Sequence, residues 1–371
     1  MTRRLRVAVD ATPLLGSRTG IGVFTHELLA HLPDQGVDPV AYATSWRGRR
    51  ALSGLVPPGV AVAARPQAAR PLRAVWARSD LAPIEWWTGA VDVVHGPNYV
   101  VPPTRAAAAV VTVHDLTFVH HPEMSTAATL AYPRLIARAV ARGAWVHTES
   151  TFVAAELTAE LAVPADRITV VPLGVTPPPP GDPARGRALA GAERYVLAVG
   201  TIEPRKDHPL LVTAFELLAD DDPDLRLVIA GPDGWGADAL TARIAASPRR
   251  DRIVRLGWVD DTDRAALLRG AAVLAFPSRY EGFGLPPLEA MAVGTPVVAT
   301  AVGAVPEVVG DAAELVAAGD ADALAGALAR VLTDAPRRAE LVARGTARAA
   351  HFGWDRCARG LAGLYGRVAP R

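Results

Sequence analysis

"RITVVPLGVTPPPPGDP", residues 167–183, decides how this chain is divided. The first part, "RITVVPLGV" (167–175), is a short β-branched, apolar run of the kind that forms a buried strand. The second part, "TPPPPGDP" (176–183), holds four consecutive prolines. Proline lacks a backbone N–H and fixes φ, so this run is stiff and extended and suits neither a helix nor an inner strand. A series of strands and helices leads up to it, and a second series restarts after it. Before it, "RLRVAVD" (4–10), "VDVVHG" (91–96), "AVVTVHD" (109–115) and "AWVHTES" (144–150) read as strands, and helices fall at 22–32, near 125–142 and at 151–161. After it, "RYVLAVG" (194–200), "LRLVIAG" (225–231), "RIVRLGWV" (252–259), "AAVLAFPS" (271–278) and "PVVAT" (296–300) continue the pattern, and a last helix falls at 354–368. Such alternation predicts an α/β chain with two doubly wound parallel sheets. The expected division is a first domain at 1–175, a linker at 176–183, a second domain at 184–350 and a C-terminal helix at 351–371.

Composition narrows the function. The 371 residues are half hydrophobic, and the formal net charge is +1. A sizeable core can be buried, and the chain as a whole is not a polyelectrolyte binder of nucleic acid. The single cysteine, Cys357, permits no internal disulfide, which fits a reducing compartment. The opening "MTRRLRVAVD" passes from arginines straight into a strand and is not expected to be a secretory leader. The longest uncharged run, Ala290–Pro306, is broken by Gly294, Pro296, Gly303 and Pro306 and reads as a strand with its loops, not a membrane span. A cytoplasmic protein is expected.

In open parallel sheets ligands gather at the carboxyl ends of strands. Both series place glycine-rich and polar residues there: Asp10 and "GSRTGIG" (16–22), "HDLTF" (114–118), "GTIEPRKD" (200–207), "GPDGWG" (231–236) and "SRYEGFGLPPLEAM" (278–291). Lys206 is the only lysine in the chain; the other 38 of the 39 fixed cations are arginine. A lone lysine in an arginine-rich composition, just after a strand, suggests a position that needs a compact point charge rather than a planar fork. Chance is the alternative, and a Schiff-base role toward pyridoxal phosphate is a further one. Glu281 and Glu289 flank Gly284, Leu285 and two prolines suited to a first helical turn. A helix N-terminus favours anions, and a carboxylate accepts two hydroxyl hydrogens at once. The loop therefore offers hydroxyl acceptors on both sides of an anion cradle, the pattern of a sugar joined to a nucleoside through a diphosphate. The plainer alternative is that Glu281 caps a loop and Glu289 pairs with an arginine.

On Glu281 and Glu289, "EPRKD" with Arg205 and Lys206, and "HDLTF" with His114, the chain resembles the retaining GT-B glycosyltransferases of family 4, and most of all bacterial mannosyltransferases. The resemblance covers nearly the whole chain. It implies a GT-B fold of two facing Rossmann-like domains with an interdomain cleft, the nucleotide-sugar donor held mainly by the C-terminal one. It also implies that Glu289 meets the ribose, Glu281 the transferred sugar, and Arg205 and Lys206 the diphosphate, beside Gly284 and Leu285. His114 would approach the sugar from the first domain. Catalytic roles are thus expected of His114, Arg205, Lys206 and Glu281. "TGIGVF" splits the family's adjacent glycines, so Gly22 carries over less firmly as a donor-binding residue. In this fold the last helix packs back onto the first domain.

The implied reaction moves a hexose, best matched by mannose from GDP-mannose, to an acceptor hydroxyl on a glycan or lipid-linked acceptor. A nucleotide-sugar epimerase of the same fold and a non-catalytic nucleotide-sugar binder are the other classes. No cofactor is expected, since the nucleotide-sugar is a substrate. No metal is expected either, because His120, His121 and His147 lack a ligand cluster at metal spacing. The "GIG" motif lacks the full dinucleotide fingerprint. Asp233 and Trp235 are candidates for the nucleotide pocket, or simply loop residues. Residues 47–78 hold seven arginines and no acid, with Trp76 inside and Trp86 and Trp87 just beyond. Two readings of 47–78 stand side by side: a solvated basic face, and peripheral contact with the inner membrane face, since basic residues beside interfacial aromatics suit anionic lipid.

Overall fold

The structure, a computed structural model, describes residues 3–16, 20–65, 67–220 and 222–370. Two compact units emerge: Met1–Gly174 with Phe352–Arg371, and Val175–His351. Among the described residues the first unit carries a seven-stranded parallel sheet in the order β3-β2-β1-β4-β5-β6-β7. Its strands are β1 (Leu5–Asp10), β2 (Val37–Tyr42), β3 (Ala61–Ala63), β4 (Val93–Gly96), β5 (Ala108–Thr112), β6 (Trp145–Thr148) and β7 (Ile168–Val170). The second carries a six-stranded parallel sheet, β10-β9-β8-β11-β12-β13. Those strands are β8 (Tyr195–Val199), β9 (Arg226–Ala230), β10 (Ile253–Gly257), β11 (Val273–Phe276), β12 (Val297–Thr300) and β13 (Glu314–Val316).

The central strands are apolar at almost every position because helices cover both faces of a parallel sheet. All five residues of β8 are buried, as are all four of β11 and of β12. Val94, Val111 and Val146 anchor the first core; Leu227, Ile229, Val273 and Val298 anchor the second. In each sheet the strand order reverses direction once, between β1 and β4 in the first unit and between β8 and β11 in the second. In open parallel sheets it is at such switch points, beyond the carboxyl ends of the strands, that ligands bind.

β2 runs through "VDPVAY", where Pro39 argues against a strand. Pro39 pairs with Val7 of β1, but β3 joins β2 only from Val40 onward. Proline is tolerated there because no neighbour on that side needs its missing N–H. The proline-rich segment before Pro183 has no regular structure, while Pro183 itself begins the helix Pro183–Ala190. The segment belongs to the second unit: Arg269 donates to the Pro178 carbonyl at 3.2 Å, and Gly181 lies so close to Ala265 that a Cβ would meet that backbone at 2.8 Å.

The helix Trp354–Val368 belongs with the first unit. Tyr365 reaches His95 through a 2.7 Å hydrogen bond. Gly174 lies against Trp354, where a Cβ would come within 2.5 Å of its backbone nitrogen. No helix among the described residues is long and apolar enough to cross a membrane.

Candidate functional site

At the switch point of the second sheet, two loops carry the charge. The first follows β8 and ends in a tight turn, Pro204–Lys206; the second follows β11 and contains Ser278–Gly284. Lys206 Nζ lies 2.6 Å from Glu281 Oε1, and Arg205 Nη1 lies 2.7 Å from Glu281 Oε2. One carboxylate thus bridges the two cations. Ser278 Oγ donates to the same carboxylate at 2.7 Å. The ammonium also sits 4.6 Å from the centre of the Phe276 ring, where a cation is attracted to the π face. Arg205 in addition donates to the Tyr280 carbonyl at 2.9 Å and pairs with Glu203 at 3.5 Å.

The cluster is nearly dry, and its acid–base balance follows from that. Burial alone would raise the Glu281 carboxyl, but Arg205, Lys206 and the hydrogen bonds pull it down to about 2. Lys206 is lowered by burial and by the Arg205 charge, against the opposing pull of Glu281. Neighbouring His208 is pushed down to about 4 by burial and then by the Lys206 and Arg255 charges. Glu281 is also fixed through its backbone. Its carbonyl accepts the Ala304 N–H at 2.9 Å, and Gly303, at φ +53°, comes so close that a Cβ would meet the Glu281 carbonyl oxygen at 2.1 Å. In sequence Gly303 shows only as a loop glycine just after a strand, in "AVGAVP", with no sign that it packs on Glu281.

Helix Leu285–Ala292 begins at Gly284, whose φ of +121° favours glycine. Pro286 and Pro287 remove two of its first-turn donors, so the N–H groups of Gly284 and Leu285 are what this terminus offers an anion. Glu289, on the same helix, is ion-paired with Arg264 of the helix Asp261–Gly270. The plainer alternative therefore describes Glu289 in part: it has an arginine partner, and a ribose would share that carboxylate with Arg264. Asp233 pairs with Arg255, while Trp235 is exposed. Among the described residues no cluster of three or more His, Cys, Asp or Glu side chains could hold a metal ion.

In the first unit His114 follows β5. Its Nδ1 lies 2.6 Å from Glu149 Oε1 and its Nε2 lies 2.7 Å from the Pro97 carbonyl. Both partners are acceptors, so the ring satisfies both only when both nitrogens carry protons. Burial lowers the His114 pKa, but Glu149 and the Pro97 carbonyl outweigh it and the net shift is upward. Glu149, 1% exposed, follows β6 and lies 35 residues away in sequence, so no local motif points to it.

Beside this pair a neutral relay runs from Tyr365 Oη to His95 Nδ1, from His95 Nε2 to Thr112 Oγ1 (2.7 Å), and from there to His147 Nδ1 (2.9 Å). It ends on the Val171 carbonyl at 3.0 Å. His95 and His147 are both lowered, first by burial and then by neighbouring imidazoles, although Glu149 and the Val171 carbonyl partly offset this at His147. Gly22 is buried in the first turn of the helix Gly20–His31, not in a loop; residues 17–19 of "GSRTGIG" lie outside the described residues.

The basic stretch 47–78 differs from expectation in one respect. Trp76 is 6% exposed and its indole N–H donates to the Ala82 carbonyl at 3.0 Å, so it is a core residue and not an interfacial one. Its helix, Ala69–Trp76, is amphipathic and turns that ring inward. Trp46 and Trp86 are the exposed aromatics, at 60% and 57%. Arg47, Arg50, Arg65 and Arg78 are exposed, while Pro66 and the side chains of Arg49, Arg70 and Arg73 lie outside the described residues.

Comparison with known proteins adds an independent line. Residues 18–178 match the family model described as Glycosyltransferase Family 4, and residues 185–348 match that of Glycosyl transferases group 1. The chain is 33% identical over 295 residues to the O-antigen chain mannosyltransferase B of Escherichia coli, spanning 77% of this chain and 75% of that one. It is 42% identical over 209 residues to a D-inositol 3-phosphate glycosyltransferase of Salinispora tropica, spanning 52% of this chain and 43% of that one. Among solved structures, sucrose-phosphate synthase from Thermosynechococcus elongatus superposes over 98% of this chain and 99% of its own with a TM-score of 0.77 at 21% identity, a likeness of fold.

Proposed function

The chain belongs to the family 4 glycosyltransferases of GT-B fold, and from that premise we propose that it is a retaining hexosyltransferase whose donor is a nucleoside diphosphate sugar, best matched by GDP-mannose. The observation that carries the reading is the convergence of Arg205, Lys206 and Glu281 at the second sheet's switch point, beside the Gly284–Leu285 helix terminus. When the glycosidic bond breaks, negative charge grows on the leaving diphosphate. Fixed donors aimed at developing charge lower the barrier without reorganising. Arg205 offers a planar fork and Lys206 a compact charge, so a crowded diphosphate takes one of each. Glu289 would accept ribose hydroxyls and Glu281 sugar hydroxyls, with His114 directed at the sugar.

No carboxylate pair is assigned the nucleophile and acid roles of a retaining glycosidase. A same-face transfer, in which a donor phosphate oxygen takes up the proton of the incoming hydroxyl, fits the reading instead. With two cations on the diphosphate the reading requires no metal, and chelator-treated enzyme should keep its rate.

Mannose is supported by the Escherichia coli relative, whose match spans most of both chains. The acceptor is a glycan or lipid-linked hydroxyl. The exposed arginines of 47–78 with Trp46 and Trp86 support peripheral contact with anionic lipid on the cytoplasmic face. The test is incubation of the purified enzyme with GDP-mannose, GDP-glucose, UDP-glucose or UDP-N-acetylglucosamine and a panel of hydroxyl acceptors, reading diphosphate release and the anomeric configuration by NMR. Acceptor-dependent GDP release with an α-linked mannoside is the expected outcome. An inverted anomer, turnover confined to a UDP-sugar, or conversion of the donor without acceptor would replace this reading.

A further inference from the structure

Asp207 stands immediately after the two cations, and its geometry is unusual for its residue type. It occupies the left-handed region at φ +46°, ψ 42°, at the N-cap of the helix His208–Leu218. A non-glycine residue there is strained, and aspartate tolerates it better than most. Aspartate is also a favoured N-cap, but this carboxylate makes no capping hydrogen bond. It turns instead to the loop after β11, where Arg279 Nε donates to Oδ2 at 2.7 Å. Asp207 is 3% exposed, whereas the Arg279 side chain is 50% exposed.

The pair does not stand alone. The Arg279 N–H donates to the Arg205 carbonyl at 2.8 Å, and Arg205 returns a bond to the Tyr280 carbonyl. The two loops at the switch point are thus laced on both sides of Lys206: Arg205 on one side, Asp207 on the other, each tied to the loop that carries Glu281. We propose that Asp207 and Arg279 form a latch that positions Lys206, so that its ammonium stands at the place of the leaving diphosphate. Neither residue is assigned contact with substrate. The inference rests on the phosphate role of Lys206 given above.

The glycine variant separates positioning from mere stability. Asp207→Gly removes the carboxylate and also relieves the left-handed strain, so its Tm should hold or rise. If the latch positions Lys206, kcat should nevertheless fall about 10-fold with GDP affinity changed less than 3-fold, since small misplacements of a catalytic group are costly. Arg279→Ala should give the same fall. The double variant should be no worse than either single, and neither substitution should lower kcat further in a Lys206→Ala background. Wild-type kcat in Asp207→Gly, or losses that multiply with Lys206→Ala, would overturn the latch. Should the glycine variant fail to fold, the half-exposed Arg279→Ala decides alone: unchanged kcat overturns the proposal, and a fall absorbed by Lys206→Ala upholds it. A fully active Lys206→Ala enzyme would instead remove the phosphate role itself.

Discussion

The two sheets share a strand order, with one strand more in the first, and differ in the groups at their switch points. At the second switch point Arg205, Lys206 and Glu281 form a dry cluster of full charges, each paired side chain to side chain. Near the first, the buried groups described are mostly rings passing hydrogen bonds from Tyr365 to the Val171 carbonyl, with the hydrogen-bonded pair His114–Glu149 at their edge. Strand order alone therefore says where a ligand sits and not what it is. Concentrated charge with a helix terminus suits a diphosphate; a hydrogen-bonded wall of imidazole, hydroxyl and phenol groups suits a neutral sugar. The comparison also shows how each region is held: the second by ion pairs across two loops, the first by a relay reaching into the last helix.

The largest effect should come from Lys206. Lys206→Ala is expected to lower kcat by about 10²–10³, as the loss of an oxyanion donor does, and to weaken donor binding less, because the charge it meets grows toward the transition state. Lys206→Arg should not restore the rate. Steady-state kinetics with saturating acceptor checks both. A fully active alanine variant would erase the contrast between the regions.

Next in size is the split between the two glutamates. Glu289→Ala should weaken both the donor and bare GDP by about 10-fold, since the ribose is common to them. Glu281→Gln should cut turnover while GDP binding stays level or tightens, because Glu281 neutralises the cations that the diphosphate would use. Calorimetric titration with GDP gives the answer. Equal losses in both variants would show that sugar and ribose sides are wrongly assigned.

Acid–base behaviour should then pull the regions apart. Glu281 is depressed from 4.5 to about 2, so its stabilisation is present above pH 4.5 and is lost as pH falls toward 2. His114 is raised above 6.5, so its stabilisation is present below pH 6.5 and is lost as pH rises through its folded value. Glu281→Gln should flatten the acid limb of a Tm-against-pH curve, and Glu149→Gln the limb above pH 6.5, by about 2–4 °C each for units of this size. Matching curves for wild type and both variants would dissolve the distinction.

A further contrast concerns membranes. Co-sedimentation with vesicles containing anionic lipid should fall with added salt and with Arg47→Ser and Arg50→Ser together, each cation contributing about 1 kcal/mol near the surface. Equal recovery with neutral vesicles would favour a soluble acceptor.

Much of this was legible in the sequence wherever the signal is local. Buried parallel strands declare themselves as β-branched runs, and the last helix, Trp354–Val368, lies where the sequence reads one. Lys206 and Glu281 stood out through composition and glycine context. What was hidden depends on distant partners. β2 carries a proline that only the short β3 makes tolerable, and β3 and β13 span three residues each, too few to show a period. Trp76 reads as interfacial until its helix turns it inward. Glu149, Asp207 and Arg279 act through pairs 35 and 72 residues apart, and no spacing rule covers such distances.

The proposed function is tested most directly at the diphosphate: it has Arg205 and Lys206 of the second unit bind GDP and gives His114 and Glu149 of the first unit no part in that binding. The direct measurement is the Kd of GDP for wild type, Arg205→Ala/Lys206→Ala and His114→Ala/Glu149→Gln at one ionic strength. The expected result is a loss of at least about 10-fold in the first variant and no change in the second. A GDP affinity that survives the loss of both cations, or that falls with the His–Glu pair, would contradict it.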